Sequence, residues 1–204
     1  MPPVVHLFDP PERFVAGTVG QPGQRTFFVQ ARAGVRVTSV ALEKQQVQIL
    51  AREVDELLDK LIEAGETRVT VPAVTPVDLA DNEPLDSPIE EEFRAGTITL
   101  SWDADDERVV IEVFAIAEAD AEVETEVDLG DLGDLGGEQV GETLVPEPEE
   151  MLLVRLHAGQ ARAFCSRAAS VVEAGREPCP FCGGPIDPTG HLCPRANGFR
   201  RTSV

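Results

Sequence analysis

Phe14-Val15-Ala16-Gly17-Thr18-Val19 returns later in the chain as Phe93-Arg94-Ala95-Gly96-Thr97-Ile98, and the reading of the fold starts from this recurrence. Self-similarity at long spacing marks a supersecondary unit used twice. Each copy is followed by a β-rich run, Arg25 to Ala31 in the first and Arg108 to Ala115 in the second. A further strand and a helix then follow in both: residues 35–42 before 45–61, and residues 152–156 before 160–172.

The two predicted helices carry the same apolar stripe. Val47, Leu50, Val54, Leu57 and Leu58 in the first match Ala161, Phe164, Ala168, Val171 and Val172 in the second. Both sets advance as one face of a 3.6-residue period, the signature of an amphipathic helix laid on a core. Gly65 and Gly175 stand where C-terminal caps belong. Turn residues separate the strands at Gln21-Pro22-Gly23-Gln24, at Ala33-Gly34 and at Asp103 to Asp106. The expected fold class is α+β: two tandem copies of an antiparallel β-meander plus helix with pseudo-twofold symmetry, followed by a small C-terminal zinc-knuckle tail. One helix on one meander covers a single sheet face, so the units are expected to join in a common sheet or to pack helix to helix.

The expected boundaries are a first unit at 1–65, a proline-rich connector at 66–92, a second unit at 93–175 and a metal-binding tail at 176–204. Further strands are expected at Val4–Phe8 and at Thr67–Val71, which would make each unit four strands and a helix. That element order is similar to the whirly-type and PUR-type single-strand nucleic-acid binders, and element order alone does not carry function.

Charge is unevenly placed along the chain. The formal net charge is −20. Residues 118–150 hold thirteen acids and no Lys or Arg, while residues 151–204 hold three acids against seven bases. The acidic stretch, with repeated Asp-Leu-Gly, has too few large apolar side chains to offset ordering entropy and reads as a disordered insertion in the second unit. Its plain role is solubility; its functional alternative is docking or cation collection. An acidic whole argues against sequence-independent DNA binding outside the tail. The N-terminus lacks a basic region followed by an apolar run, and no stretch approaches the length of a membrane span. With the cysteines set out for metal rather than for a disulfide framework, these features place the chain in the reducing cytoplasm.

The chemistry lies at the end. Cys179-Pro180-Phe181-Cys182-Gly183-Gly184 is a zinc knuckle in sequence form, and His191 and Cys193 follow after an eight-residue spacer. Gly183 permits the turn a knuckle needs, and the three thiolates and one imidazole complete a tetrahedral Zn²⁺ site, with Zn–S bonds of about 2.3 Å. Four protein ligands leave no open position, so one structural zinc is expected. A redox pair would be expected at a helix start, where the dipole lowers the thiol pKa, whereas this motif follows a helix. An iron–sulfur cluster fits less well with a histidine in the set. Cys165 falls on the apolar helical face as a buried small hydrophobe.

The other candidates are weaker. Glu43, Lys44, Gln45 and Gln46 sit at the start of the first helix, where a ligand docks or a cap forms equally well, and His157 occupies the matching place in the second. His6, Asp9 and Glu12, separated by Pro10-Pro11, read as a bent loop rather than a catalytic group. Arg195, Arg200 and Arg201, with Asn197 and Phe199 between them, form a basic patch that could contact phosphate or fold back on the acidic body. No triad, dinucleotide fingerprint or P-loop is present.

The opening run from His6 to Ala31, the central Ser39 to Leu50 and the ending Cys179 to Arg201 resemble the actinobacterial family catalogued as domain of unknown function 3090. The resemblance spans the chain apart from the acidic insertion. It implies a small cytosolic protein with a zinc-ribbon-like C-terminus and adds no mechanism. The reading reached is a non-enzymatic module that presents a zinc-stabilised basic tail to a macromolecule, protein or nucleic acid. The alternatives are a single-stranded nucleic-acid binder and an enzyme with its active site between the two units.

Overall fold

The computed structural model describes residues 3–21, 23–65, 67–117, 148–174, 179–182, 193 and 195. Among these, seven strands and two helices follow in the order β1 (Val4–Phe8), β2 (Arg13–Val19), β3 (Thr26–Ala33), β4 (Arg36–Leu42), α1 (Lys44–Ala64), β5 (Glu91–Asp103), β6 (Arg108–Ala115), β7 (Glu150–Leu156) and α2 (Ala158–Glu173). The class is mixed α+β. All seven strands lie in one sheet of order β1-β7-β6-β5-β4-β3-β2. Two antiparallel meanders, β2-β3-β4 and β5-β6-β7, meet through a parallel β4–β5 pair, and β1 joins β7 in parallel.

This order forces the sheet to curl. Strands β1 and β2 are its two edges, and six spacings of about 4.8 Å would separate them by about 29 Å in a flat sheet. Only residues 9–12 connect them, and a link from Phe8 to Arg13 spans about 18 Å at full stretch. The edges accordingly approach each other. Arg36, at the start of β4, donates to the Leu7 carbonyl, and its guanidinium lies 4.2 Å above the centre of the Phe8 ring.

Both helices fill the curl. Val47, Leu50, Val54 and Leu58 of α1 and Ala161, Phe164, Cys165 and Ala168 of α2 share one core with Val29, Val40, Ile111 and Val154 of the strands. Phe164 stacks on Phe14, ring centroids 4.8 Å apart. Leu57, Val171 and Val172 pack at its margin, so both apolar stripes point inward. Gly65 caps α1 in the left-handed region at φ 64°, and α2 stops at Ala174 with φ −66°; Gly175, expected as its cap, lies outside the described residues.

The segment between α1 and β5 is strapped to the body. Arg13 donates to the Asp81 carboxylate at 2.6 and 3.0 Å and to Asp86 at 2.8 Å, and this guanidinium holds the Asp81 carboxyl below its ordinary range. Arg167 of α2 reaches the Ala16 carbonyl at 2.7 Å and the Asp81 carboxylate at 2.8 Å. Gln30, only 1% exposed, donates to the Asp86 carbonyl at 3.0 Å and accepts from its N–H at 2.7 Å. Buried polar groups must be satisfied, and here the strap satisfies them. Leu85 then packs with Val15, Phe28 and Ala41 on the sheet face turned away from the helices.

Both glycines of the repeated hexapeptide are places of close approach. A Cβ on Gly17 would fall 2.6 Å from Leu85 Cγ, and one on Gly96 would fall 3.1 Å from the Cα of Ile116. The strand expected at Thr67–Val71 does not form. The Arg68 and Val69 N–H groups instead donate to the Glu107 carboxylate, which takes up donors that a sheet neighbour would have used. Residues 118–147 of the acidic stretch lie outside the described residues, and β7 begins at Glu150.

Filling the Gly17 site tests the strap. Gly17→Val is expected to lower stability in urea unfolding by about 1–3 kcal/mol through overpacking. In a Leu85→Ala background the same substitution is expected to cost less, giving a non-zero coupling in the double-mutant cycle. Additive costs would show that the two residues do not meet.

Candidate metal centre

The C-terminal cysteines converge. One sulfur from each of Cys179, Cys182 and Cys193 lies within 4.8 Å of the others, and the Sγ atoms of Cys179 and Cys193 are 3.8 Å apart. A disulfide needs about 2.05 Å, and none of the three cysteines is bridged in one. Zn–S bonds of about 2.3 Å at tetrahedral angles separate neighbouring thiolates by about 3.8 Å, the separation observed. Three sulfurs so placed can hold a metal ion. His191, the fourth ligand expected from the spacing, lies outside the described residues, as do Arg200 and Arg201.

The local chain explains why the sulfurs turn inward. Pro180 and Phe181 form a tight turn between Cys179 and Cys182, and backbone N–H groups of that turn point back at the first sulfur. The Phe181 N–H, with a further contribution from that of Cys182, holds the Cys179 thiol below its ordinary pKa, as donors around a thiolate do. Arg195 crosses from the second arm to the knuckle and donates to the Phe181 carbonyl at 3.2 Å. It ties the two arms while remaining exposed. The Phe181 side chain is 65% exposed. Phe181 is not among the candidates read from the sequence; its signal there is its place between two inward-facing cysteines, which turns the intervening side chain outward.

Cys165 belongs to another environment. It is buried on α2, and burial pushes its thiol up to about 12.

The helix-start candidates are occupied locally. Glu43 is the N-cap of α1 and pairs with Arg94 at 3.3 Å. Gln46 Oε1 accepts from the Glu43 N–H at 2.8 Å, while its Nε2 donates to the carbonyls of Ala95 and Gly96 at 3.1 and 3.0 Å. Those carbonyls fall at a register break in the β5–β6 ladder, so Gln46 supplies donors that the ladder does not. Lys44 and Gln45 are exposed. His157 caps α2, Gln160 Oε1 accepts from its N–H at 3.1 Å, and Gln160 Nε2 donates to the Pro11 carbonyl at 2.9 Å. Beside Gln46 there is a cleft of about 180 Å³, lined mainly by Ile49, Leu50, Gly96, Ile98 and Leu100. It is small and apolar, whereas a larger cleft of about 750 Å³ lies between α1 and α2, with Asp55, Arg162 and Glu173 in its lining.

His6, Asp9 and Glu12 are not brought together. His6 meets Glu150 at 3.1 Å, Asp9 meets Arg155 at 3.0 Å, and Glu12 meets Arg32 at 3.2 Å.

A mixed α+β body with a cysteine cluster at its end is thus the class of protein that fold and site define. The chain belongs to the family described as Protein of unknown function (DUF3090), which it matches over residues 6–193. No curated protein and no solved structure matches it. No described helix is long and apolar enough to cross a membrane.

Thiol reactivity follows from these environments. In the metal-free native protein at pH 8, iodoacetamide is expected to modify Cys179, Cys182 and Cys193 before Cys165, which lies in the core of the body. Peptide mass spectrometry reads the order, and Cys165 is expected to react fully only after unfolding. Early labelling of Cys165 would contradict its placement in the core.

Proposed function

We propose that the chain is a zinc-stabilised interaction module of the cytoplasm, in which Cys179, Cys182, His191 and Cys193 hold one structural Zn²⁺. The observation that carries this reading is the 3.8 Å approach of Cys179 and Cys193, the edge of a tetrahedral thiolate site. Borderline-soft thiolates with an imidazole favour zinc over hard cations. The ion shapes a tail with too few apolar residues to fold alone, and binding energies for such sites are on the order of 10–16 kcal/mol.

The zinc-held tail presents Arg195, Arg200 and Arg201 to a macromolecular partner carrying carboxylates or phosphates. Exposed Phe181 beside Arg195 supports this reading, because aromatic and arginine side chains are the usual anchors of an interface. The body behaves as a scaffold built from a duplicated unit. Support comes from the recurring hexapeptide and from the paired roles of Gln46 and Gln160. The first, from the earlier half, bonds Ala95 and Gly96 within β5; the second, from the later half, bonds Pro11, two residues before β2.

Zinc analysis and capture from a native extract test the reading together. About one zinc per chain is expected, lost in Cys182→Ser. Partner recovery is expected to fall at least tenfold in that variant, on deletion of residues 176–204, and in the triple Arg195, Arg200, Arg201→Ala variant. Unchanged recovery in all three would reject the tail as the contact, and absence of zinc from the intact protein would reject the site. Binding of single-stranded DNA at 50 mM salt that weakens steeply as salt rises would make the partner a nucleic acid.

A further inference from the structure

Away from the cysteines, three more ligand-type side chains meet at the edge of the sheet. Strand β1 runs parallel to β7 with Val4 opposite Glu150 and His6 opposite Leu152. His6 alternates with Val5 and Leu7 and so shares the side of buried Phe8. Its ring lies 6.2 Å from that of Phe93, in the core. Its Nε2 is 3.1 Å from Glu150 Oε1. At the same end of the sheet β6 stops at Ala115, and the chain turns so that the Ile116 N–H donates to the Arg94 carbonyl at 2.9 Å. Beyond this end, Glu92 of β5 reaches the same place. One ligand atom from each of His6, Glu92 and Glu150 lies within 4.8 Å of the other two.

The charges there are not balanced by the protein. Among the described residues neither Glu92 nor Glu150 pairs with a lysine or arginine; Arg94, the nearest cation in sequence, turns to Glu43 and Glu91. Two carboxylates brought this close repel each other, and a single imidazole offers at most one positive charge between them.

We propose that His6, Glu92 and Glu150 form a second metal site, which takes a divalent transition-metal ion of the Mn²⁺ or Fe²⁺ kind. The donor set narrows the choice of ion. An imidazole with two carboxylates suits this class, the lack of thiolate removes the preference for soft ions, and Ca²⁺ and Mg²⁺ favour all-oxygen sites. The spacing suits it too, because metal–ligand bonds of about 2.1 Å place adjacent ligands about 3.0–3.5 Å apart. The ligands come from three strands of one hydrogen-bonded sheet, so the site is held by the fold and does not need the ion to form it. Three protein ligands leave positions open for water or an exchangeable anion. Glu92 and Glu150 line a cleft of about 360 Å³ that is bordered also by Phe93, Arg94, Ala115 and Ile116. The cysteine centre, closed by four ligands, would be structural; this one would bind and release.

Titration of the intact, zinc-loaded protein with Mn²⁺, followed by the electron paramagnetic resonance of free and bound ion, tests the site. One Mn²⁺ per chain is expected, with ¹⁴N coupling from an imidazole in the bound spectrum. Glu92→Gln changes an exposed residue at a strand end and is expected to weaken binding at least tenfold with the circular dichroism unchanged. His6→Ala is expected to weaken it likewise and to abolish the nitrogen coupling. Cys182→Ser is expected to leave it intact, which separates this site from the tail. If His6→Ala fails to fold, Glu92→Gln and the nitrogen coupling of the unaltered protein decide. Binding that survives Glu92→Gln, or that shows no nitrogen coupling, places the ion on other carboxylates and overturns the proposal, as does the absence of stoichiometric binding.

Discussion

A link of four residues joins the two opposite edges of a seven-stranded sheet, and the shape of the body follows from its shortness. The connection from Phe8 to Arg13 cannot cross the width of a flat sheet. The strands must therefore roll toward each other and enclose a volume. Sheet faces and helix stripes are stable only when buried against another layer, and a rolled sheet offers α1 and α2 the same interior. That is why residues of both meanders and both helices share one core. Arg36, at the start of β4, reaches across to the β1 edge through its place over Phe8 and its bond to the Leu7 carbonyl.

The outer side of the sheet shows a second use of the same economy. A segment that reads as a proline-rich connector is bound by Arg13, Arg167 and Gln30 to the strands and the helix. Charge-assisted bonds from partly buried guanidinium groups are stronger than those between exposed ions, so the segment behaves as part of the body. Leu85 occupies the space that Gly17 leaves free. A strand glycine ordinarily weakens a sheet; in this position it is the seat of a side chain from the strap.

Two metal-type constellations then stand at different levels of dependence on the fold. The cysteines of the tail lie close together in sequence, and an ion would supply the order that apolar burial does not. His6, Glu92 and Glu150 are far apart in sequence, and the curled sheet alone brings them together. The first gathers three sulfurs from the end of the chain, and the second gathers ligand atoms from three strands of the sheet. Exposed Phe181 and Arg195 give the tail a face of mixed aromatic and cationic character, in contrast to the acidic character of the chain as a whole.

The sequence by itself determined the local matters: the positions of the strands, the inward stripes of both helices, the left-handed cap at Gly65, and the cysteines that meet at one end. Each is set by periodicity, turn chemistry or short spacing, which neighbouring residues specify among themselves. It misjudged Thr67–Val71, expected as a strand, where the backbone donors found Glu107 instead, a contact nearly forty residues away. It left Glu43, Gln46 and His157 open between ligand contact and helix capping, because only their neighbours in space distinguish the two. The order of strands across the sheet, the strapping of residues 72–90 and the meeting of His6 with Glu92 and Glu150 were decided by the tertiary structure. These depend on which edges close and which side chains face one another after the chain has curled, and no short-range pattern encodes that.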